Sequence, residues 1–555
     1  MKNLLIYLLL FSSISIFSQI QDAIVYFNTK PNSVAFFANP SVELSARSLA
    51  RRTAQNIVLD ITDAPISSTF IAQVDASTGI TVLAKSKWLN CIYVRGLQTD
   101  IVALTALTFV QNVKFLDASI TARPGQKFPK EVLISKNKSI INNNPAQQPN
   151  TVFNYGGSYN QIHMLNGDYL HQQNFTGSGK VIAVLDAGFP GVDSAQPFQR
   201  LITNNQILGG YDFVNDNNDY FSGDSHGTSV LSLIGGFTPG KLIGTAPDAK
   251  YYLYQTEDNE SISPYNENPV EEVNWVEAAE EADRVGADII TSSLGYFGFE
   301  NDAYSHIYED MTGDKNFASK GLNFAFSKGI ICLISAGNSG NDIEPHIGVP
   351  AEATKALTIG SVQNNRTRSS SSSIGPSFDG RIKPDLMSQG VNPVVSDTSG
   401  NFTTSGSGTS YSCPIMAGLF ACFWQAVPTL TNQQVIDLVR QSADNFLSPD
   451  NQYGYGIPNF QLALNNATLT SKNFETTNKS FIVSPNPTND FVEIAFPNQL
   501  NTAIFSIYNL LGQNILNNEI SVTNSKVDLS NLNSGVYIFK IEANNFSQSG
   551  KVIKK

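Results

Sequence analysis

The chain has 555 residues, of which 41% are hydrophobic and 15% charged, with 35 basic and 47 acidic side chains and a formal net charge of -12. This composition is that of a globular protein, and at roughly 150 residues per domain the length predicts two to four domains. The acidic balance argues against nucleic acid as a partner, because a nucleic-acid-binding surface needs an excess of positive charge.

Residues 1–18 have the pattern of a secretory signal peptide. One Lys precedes an apolar run from Leu4 to Phe11, and small residues follow up to Ser18. The run is shorter than the ~20 residues that cross a membrane, and no later segment is apolar enough to do so. We therefore expect an exported protein with no stable membrane span.

Residues 19–150 are predicted to form a small α+β unit followed by a linker. Short β-type runs such as "AIVYF" and "CIYVRGL" alternate with helical stretches near 42–52 and 100–109. The tract "NNNPAQQPN", residues 142–150, has nothing apolar to bury and is typical of a linker.

Residues 151–468 show the alternation of an α/β domain. Compact apolar runs, "VIAVL", "AKYYLYQ", "ADIITSS", "IICLIS" and "ALTIGSV", are separated by segments with apolar residues at helical spacing. This pattern predicts a doubly wound parallel sheet with helices on both faces. In such sheets, reactive groups gather beyond the carboxyl ends of the strands.

The last part of the chain changes its pattern again. Residues 469–480 are polar and are predicted to be a second linker. Residues 481–555 then alternate at period two, as in "FVEIAF" and "GVYIFKIEA", with Asn, Pro and Gly between the runs. We expect a small antiparallel β-sandwich there.

Four cysteines are present, and we predict that all are reduced. Cys413 and Cys422 lie nine residues apart on one predicted helix. They are therefore ~13 Å apart, beyond the ~7 Å reach of a disulfide. Cys91 lies in a segment that we expect to be removed, and Cys332 lies in a buried strand.

The stretch "SGDSHGTSV", residues 222–230, has two incompatible interpretations. Gly223 to Gly227 fits the G-x-S-x-G nucleophile elbow, with Ser225 as the nucleophile of an esterase. That motif needs a buried strand directly before it, and "NDNNDYFSGD" does not resemble a strand. The alternative is that His226, at the start of an apolar helix, is a general base with its nucleophile elsewhere.

Partners for His226 are found at other predicted strand ends and helix starts. Asp186 ends the strand "VIAVLD", where a buried carboxylate could orient an imidazole. Ser410 opens a helix, with Pro414 expected in the first turn, and offers a hydroxyl and a backbone N–H. Asn338 follows the strand "IICLIS" and could donate to an oxyanion. Each residue alone has an ordinary structural explanation, but the set together indicates nucleophilic catalysis.

The order Asp186, His226, Ser410, in "VLDAGF", "SHGTSV" and "GTSYSCPIMAG", with "SAGNSG" between, resembles the subtilisin-like serine peptidases. The resemblance covers about 310 residues and implies a subtilisin-like fold, Asn338 in the oxyanion hole and Ser293, Leu294 and Gly295 in a substrate-binding strand. It also implies that the N-terminal unit is a cleaved propeptide that assists folding and inhibits the enzyme.

Several positions depart from the family's pattern. Ala187 stands where a Thr or Ser is usual, and Ser229 stands where many members have a second His. Tyr411 and Cys413 replace a common Met and Ser. The catalytic set is complete, so we expect altered tuning rather than an inactive enzyme. Cys413 is a poor nucleophile candidate, because it faces away from Ser410 on the helix.

The tail, with "VSPNPTNDFVEIAF", "LLGQNI" and "SGVYIFKIEANNFSQSGKVIKK", is similar to the type A sorting domains of the type IX secretion system. Those domains direct cargo across the outer membrane of certain Gram-negative bacteria. The resemblance implies a product at the outer-membrane surface or outside the cell. The alternative is an accessory β-sandwich that binds carbohydrate or protein.

No cofactor is expected for this chemistry, although structural calcium is an open possibility. Asp216, Asp219 and Asp224 lie in an oxygen-rich loop, and many family members bind calcium. The loop lacks EF-hand spacing, so a solvated loop is the preferred interpretation.

The sequence therefore predicts an exported subtilisin-like serine endopeptidase that acts on proteins or peptides. Its other partners would be its own propeptide and the type IX secretion machinery. The competing hypotheses are a secreted binding protein on an inactive peptidase fold and, third, an esterase using Ser225.

Overall fold

The computed structural model describes residues 20–117, 152–258, 268–299, 301–477, 481–496, 500–509, 512–543 and 546–555. The chain divides into two compact units, Met1–Ala463 and Leu464–Lys555. The predicted signal peptide and the 142–150 linker lie outside the described residues. Within the described part, no helix combines the length and hydropathy needed to cross a membrane.

The N-terminal part of the first unit is an α+β layer. Its antiparallel sheet has the order β2-β3-β1-β4, and Val25, Ile92 and Val94 face its core. The elements are β1 (Ile20–Phe27), α1 (Ser33–Ala38), α2 (Ala46–Ala54), α3 (Ser68–Asp75), β2 (Ile80–Ser86), β3 (Cys91–Leu97), α4 (Gln98–Ala103) and β4 (Val110–Phe115).

The rest of the first unit is built on a seven-stranded sheet in the order β13-β12-β11-β10-β5-β9-β6, in which every pair of neighbours is parallel. Its elements are α5 (Tyr159–His163), α6 (Gly167–Gln172), β5 (Val181–Asp186), α7 (Gln199–Thr203), β6 (Ile207–Asp212), α8 (His226–Gly235), β7 (Phe237–Thr238), β8 (Leu242–Ile243), β9 (Lys250–Gln255), α9 (Val270–Val285), β10 (Ile289–Ser292), α10 (Phe317–Ser327), β11 (Ile331–Ser335), β12 (Leu357–Val362), β13 (Leu386–Gln389), β14 (Val395–Ser396), β15 (Phe402–Thr403), α11 (Thr409–Ala426), α12 (Asn432–Gln441) and α13 (Phe460–Thr477).

The predicted α/β fold is confirmed. Every residue of β5, β10, β11 and β12 is buried, as expected for strands covered by helices on both faces. Helix α11 is buried from Ser412 to Trp424 and packs against the centre of the sheet. The two edge strands, β6 and β13, were not predicted, because β6 contains two glycines and β13 has only four residues.

The N-terminal sheet packs directly on helices α9 and α10. The Glu280 carboxylate accepts hydrogen bonds from the Ser86 hydroxyl at 2.6 Å and from the backbone N–H groups of Lys87 and Trp88 at 2.8 and 2.9 Å. The Trp88 ring also stacks on the Phe324 ring of α10, with centroids 6.0 Å apart. The two parts thus share one buried interface.

The second unit begins within helix α13, and its remaining part, residues 481–555, is all-β among the described residues, as predicted. It has two antiparallel sheets, in the orders β16-β17-β20 and β19-β18-β21-β22, with Val492, Phe505 and Ile541 in a common core. The strands are β16 (Ile482–Ser484), β17 (Phe491–Ala495), β18 (Thr502–Tyr508), β19 (Asn514–Ser521), β20 (Lys526–Asp528), β21 (Gly535–Ala543) and β22 (Phe546–Lys554).

The structure adds a detail to the predicted second linker and corrects one local prediction. Helix α13 continues to Thr477, so residues 469–477 of the predicted linker are helical. This stretch is polar but contains no Gly or Pro that would end a helix begun at Phe460. The prediction that Pro414 lies in the first turn of its helix was wrong. Helix α11 begins at Thr409, so Pro414 lies inside it, beyond the first turn.

The prediction for the cysteines is confirmed. Cys91, Cys332, Cys413 and Cys422 are all free and buried. Cys413 and Cys422 lie on the same helix, α11, as expected.

Candidate active site

Three of the predicted site residues lie beyond the carboxyl ends of adjacent strands. Asp186 is the last residue of β5, Ser293 follows β10, and Asn338 comes shortly after β11. These strands are neighbours in the order β11-β10-β5, and all run in parallel. Their ends therefore meet at one edge of the sheet, which is where the sequence placed the site.

Asp186 and His226 form a direct hydrogen bond. The His226 Nδ1 atom lies 2.7 Å from Asp186 Oδ1, and the side chains are 29% and 0% exposed. His226 is the first residue of α8 and is followed by Gly227. A Cβ at position 227 would lie 2.3 Å from the Gly188 carbonyl oxygen, so this glycine allows the helix to start against the end of β5.

The same contact controls the protonation of His226. Burial acts to lower the pKa of the imidazole, but the Asp186 carboxylate more than offsets this, and the pKa is raised above its ordinary value. Asp224 adds to the rise and also accepts a hydrogen bond from the backbone N–H of His226 at 2.7 Å. The site therefore favours the imidazolium that forms when His226 accepts a proton.

The second oxygen of Asp186 has no hydrogen-bond partner among the described residues, although it is buried. The neighbouring residue is Ala187, whose backbone N–H donates to Asp186 Oδ1 at 2.9 Å but which carries no hydroxyl. Ala187, which stands where a Thr or Ser is usual in the family, therefore leaves the hydrogen-bond network around this carboxylate incomplete. It leaves the bond to His226 in place.

Ser410 lies in the first turn of α11 and is paired with Ser293. The Ser293 hydroxyl donates to the Ser410 carbonyl oxygen at 2.9 Å, and the Ser410 hydroxyl donates to the Ser293 carbonyl oxygen at 3.4 Å. Pro414 explains the first bond. Because proline has no N–H, it cannot bond the carbonyl four residues earlier, and Ser293 takes that place.

The hydrogen bond between Ser410 and His226 is not formed in this structure. No such contact occurs among the described residues, and the Ser410 hydroxyl is directed to Ser293 instead. The two residues are nevertheless close in the fold, since the ring of Tyr411 lies 6.2 Å from the His226 ring, at an angle of 28°.

Asn338 is held beside the start of α11. Its Oδ1 atom accepts hydrogen bonds from the Thr409 backbone N–H at 2.9 Å and from the Thr409 hydroxyl at 3.2 Å. These contacts fix the amide with its Nδ2 group free to donate elsewhere. The Ser410 N–H is also available, because N–H groups in the first turn have no acceptor within the helix. Two N–H donors are therefore present at the start of α11.

Leu294 and Gly295 extend the chain beyond Ser293, half-buried and exposed respectively. The next residue, Tyr296, forms an antiparallel bridge with Val349, with N–H to carbonyl distances of 2.7 and 3.1 Å. The predicted substrate-binding strand is therefore fixed at its far end, while Gly295 keeps an open surface.

Ser225 does not form a nucleophile elbow. It is an exposed N-cap of α8, and it follows an irregular loop rather than a buried strand. The remaining histidines that could serve it are engaged elsewhere, since His306 pairs with Glu272 and His346 pairs with Glu344. The geometry gives no support to the esterase hypothesis.

Cys413 is equally unsuited to be the nucleophile. It is completely buried, and burial raises the pKa of its thiol to about 12. Its sulfur lies against the Thr291 hydroxyl and the Ser292 carbonyl, at 3.5 and 3.8 Å. A thiol in this state is neither ionised nor accessible.

The acidic loop does not assemble a cation site. Within the described parts of the chain, no group of three or more His, Cys, Asp or Glu side chains is placed to hold a metal ion. Asp216 accepts from the Tyr211 hydroxyl at 2.6 Å, and Asp224 accepts from the His226 backbone. Asp216 and Asp224 thus make separate contacts within the protein.

Sequence reasoning missed the supporting roles of Thr409 and Asp224. Thr409 fixes Asn338, and its hydroxyl also accepts from the Gly337 N–H at 3.1 Å. Asp224 holds the backbone at the start of α8. The only signal was proximity, since each residue lies within two positions of a predicted catalytic residue.

Three family profiles match the chain in consecutive segments. The Subtilase family matches residues 177–456, the Peptidase S8 propeptide domain of Bacteroidota matches residues 22–131, and the Secretion system C-terminal sorting domain matches residues 483–555. Each match falls on the part of the chain for which the sequence motifs predicted the same kind of domain.

Individual relatives agree with these profiles. The chain is 30% identical to serine protease AprX of Bacillus subtilis (strain 168) over 316 residues, which cover 52% of this chain and 66% of AprX. It is 29% identical to subtilisin NAT of Bacillus subtilis subsp. natto over 306 residues, covering 54% and 70%. The chain thus spans just under two thirds of the length of AprX.

A solved structure of the MycP3 protease from the type VII (ESX-3) secretion system also resembles this chain. The two are 22% identical with a TM-score of 0.44, and the match covers 56% of this chain and 88% of that one.

Proposed function

Since the chain belongs to the subtilase family, we propose that it is a secreted serine endopeptidase that hydrolyses peptide bonds through Asp186, His226 and Ser410. The observation that carries the proposal is the 2.7 Å bond between the buried Asp186 carboxylate and His226, at the sheet edge where Asn338 follows β11 and Ser410 of α11 bonds Ser293. This arrangement supplies a nucleophile, an oriented base and donors for an oxyanion.

The reaction would proceed in two acyl transfers. The Ser410 Oγ attacks the scissile carbonyl carbon while its proton passes to His226 Nε2, and the carbonyl oxygen becomes an oxyanion held by Asn338 Nδ2 and the Ser410 N–H. His226 then gives its proton to the leaving amine as the peptide bond breaks. In the second step water attacks the acyl carbon as His226 takes its proton, and His226 gives that proton to Ser410 Oγ as the acyl–oxygen bond breaks. Asp186 stabilises the imidazolium each time.

We further propose that the chain is a precursor whose N-terminal domain restrains the peptidase. The support is the buried interface around Glu280 and Trp88, together with the match of residues 22–131 to a subtilase propeptide. The sorting domain at residues 483–555 supports delivery by the type IX secretion system to the cell surface or the medium.

Labelling with a serine-reactive fluorophosphonate tests the assignment directly. The processed protein should be modified at Ser410, because only a serine activated by its base attacks this reagent rapidly. Mapping the modified peptide by mass spectrometry identifies the site. Modification at Ser225 would favour the esterase, and an unmodified, correctly folded protein would favour a binding protein on an inactive peptidase fold.

We expect Asn338→Ala to lower kcat for a peptide substrate by about 100- to 1000-fold with little change in KM, because the lost amide donor acts on the transition state. Steady-state kinetics of the processed enzyme measure both constants. Asn341→Ala is the matched control, since Asn341 lies in the same loop but its amide bonds the Ser370 hydroxyl. Equal effects of the two changes would remove Asn338 from the oxyanion hole.

A further inference from the structure

The N-terminal domain touches the peptidase at a second place, far from the catalytic edge of the sheet. The contact is made by residues 45–63, which we call the anchor segment and which contain helix α2. Its partners precede the strands β5, β10 and β11, at residues 179, 286–288 and 328–329. Because these strands are parallel, their beginnings lie at the opposite edge of the sheet from Asp186.

Two buried arginines form the centre of this contact. The side chains of Arg51 and Arg52 are 4% and 2% exposed, and both pair with Asp283 of α9, which is 0% exposed. Arg52 lies 2.8 Å from one oxygen of Asp283 and 2.8 Å from Asp63 of the anchor segment itself. Two positive and two negative charges, on four buried side chains from two domains, therefore compensate one another.

The end of helix α9 adds neutral acceptors. Arg51 donates to the backbone carbonyls of Ala287 and Lys328, and Arg47 donates to that of Gly286 at 2.8 Å. Carbonyl groups at a helix C-terminus attract cations. Gly286 has a φ of 88°, and a Cβ there would lie 2.7 Å from the Ser48 N atom, so the site also has the shape to receive α2.

The peptidase also contributes a buried cation to this contact, which pairs with acidic residues of the anchor segment. Lys328 of the peptidase is 2% exposed and lies 3.2 Å from Asp63, and its ammonium donates to the Thr62 hydroxyl at 2.8 Å. Gln55 bonds the Gly329 carbonyl at 2.8 Å and accepts from the Asn432 N–H at 2.9 Å. Among the described residues, the ion pairs of this buried lysine and of Asp283 are all made with the anchor segment.

We propose that the surface formed by Asp283, Asp288, Lys328 and the end of α9 is an exosite for a helix that carries paired arginines, and that its occupant is the anchor segment of this chain. The anchor segment then holds the N-terminal domain on the peptidase independently of the active-site cleft. Cleavage of the covalent junction does not disturb this contact, so it retards release of the cleaved domain.

Hydrogen exchange of the full-length chain tests the exosite without relying on activity. In a Ser410→Ala background, Asp283→Asn should raise the exchange rates of the α2 amides at least ~30-fold, because it leaves the buried Arg51 without its carboxylate partner and Arg52 with Asp63 alone. Amides of β3, read by mass spectrometry in the same experiment, should be unchanged, which shows that the N-terminal domain itself remains folded.

The matched control is Lys85→Gln. Lys85 also bridges the two parts of the chain, through Glu277, but its side chain is 51% exposed and such pairs contribute little. If α2 exchanges within ~3-fold of the parent in Asp283→Asn, as expected for the control, the proposal is overturned. If the Asp283→Asn protein does not accumulate, Arg47→Gln is used instead, since Arg47 pairs with Asp288 at the rim of the contact and its side chain is 40% exposed. This variant should raise the exchange rates of the α2 amides ~5-fold, and unchanged rates would overturn the proposal.

The consequence for regulation rests on the proposed function and has its own readout. The delay to be measured is the time between cleavage of the junction, followed on gels, and the appearance of activity on a chromogenic peptide. In the chain with Ser410 intact, Asp283→Asn should shorten this delay at least ~10-fold. An unchanged delay despite faster exchange contradicts the retarding role. Absence of any activity or fluorophosphonate label in the parent contradicts the proposed function, and leaves the exchange result standing.

Discussion

Replacing Ser410 by alanine is expected to lower the hydrolysis of a peptide substrate by at least ~10,000-fold, with the protein otherwise intact. The Ser410 hydroxyl is the group proposed to form the acyl intermediate, and Cys413 is unsuited to replace it, because it is buried with a pKa raised to about 12. A residual rate above that in water should remain, because Asn338 and the Ser410 N–H still stabilise the oxyanion. Steady-state rates on the processed enzyme measure the loss.

The control for this experiment is Ser225→Ala. Ser225 neighbours His226 but is exposed at the N-cap of α8, so its removal should change the rate by less than ~3-fold. Near-normal hydrolysis by Ser410→Ala would exclude Ser410 from the mechanism. A large loss in Ser225→Ala alone would restore the esterase interpretation.

Asp186→Asn is expected to have the second-largest effect, a fall in kcat of about 10,000-fold. An amide at this position cannot stabilise the imidazolium, and it can hold the ring of His226 in the wrong tautomer. The Asp186 carboxylate is 0% exposed and lies 2.7 Å from the His226 ring, so bulk water cannot replace this contact in the variant.

The pH profile of the same variant gives an independent readout. His226 acts as a base only when neutral, and its pKa is raised above the ordinary value near 6.5, so activity should be lost as pH falls through a value above ~6.5. In Asp186→Asn the attraction that raises the pKa is gone while burial still lowers it. The acid limb of kcat/KM should therefore move to lower pH.

Asp224→Asn provides the matched carboxylate. Asp224 contacts the backbone N–H of His226 rather than its ring, so we expect a loss below ~10-fold and a smaller shift of the acid limb. If both variants lose activity equally, the ring contact of Asp186 is not what orients the base.

Some features of the site could be predicted because they depend on local patterns. A run of apolar residues such as Val181–Asp186 must be a buried strand, and the residue that ends it must lie at the carboxyl edge of a parallel sheet. The same reasoning placed Asn338 after β11 and His226 at the start of α8. These are statements about single elements, and neighbouring residues carry enough information to make them.

Other features depend on elements that meet only after folding. The bond from Ser293 to the Ser410 carbonyl joins residues 117 positions apart, and the absence of an N–H at Pro414 is what makes that carbonyl available. The edge strands β6 and β13 have no distinctive pattern and are recognisable only by their pairing with β9 and β12. Nothing in the sequence of the anchor segment indicated which acidic residues would pair with its arginines.

By itself, the sequence determined the order of the domains, the parallel α/β class of the central one and the identity of the four residues expected to carry the chemistry, because hydrophobic periodicity and the residues at strand ends are local properties. Only the tertiary structure decided that Ser410 is turned toward Ser293 rather than His226, that Asp186 keeps one unpaired oxygen, and that Arg51 and Arg52 are neutralised by Asp283. Burial and pairing of charges are set by contacts between distant segments, which periodicity does not encode.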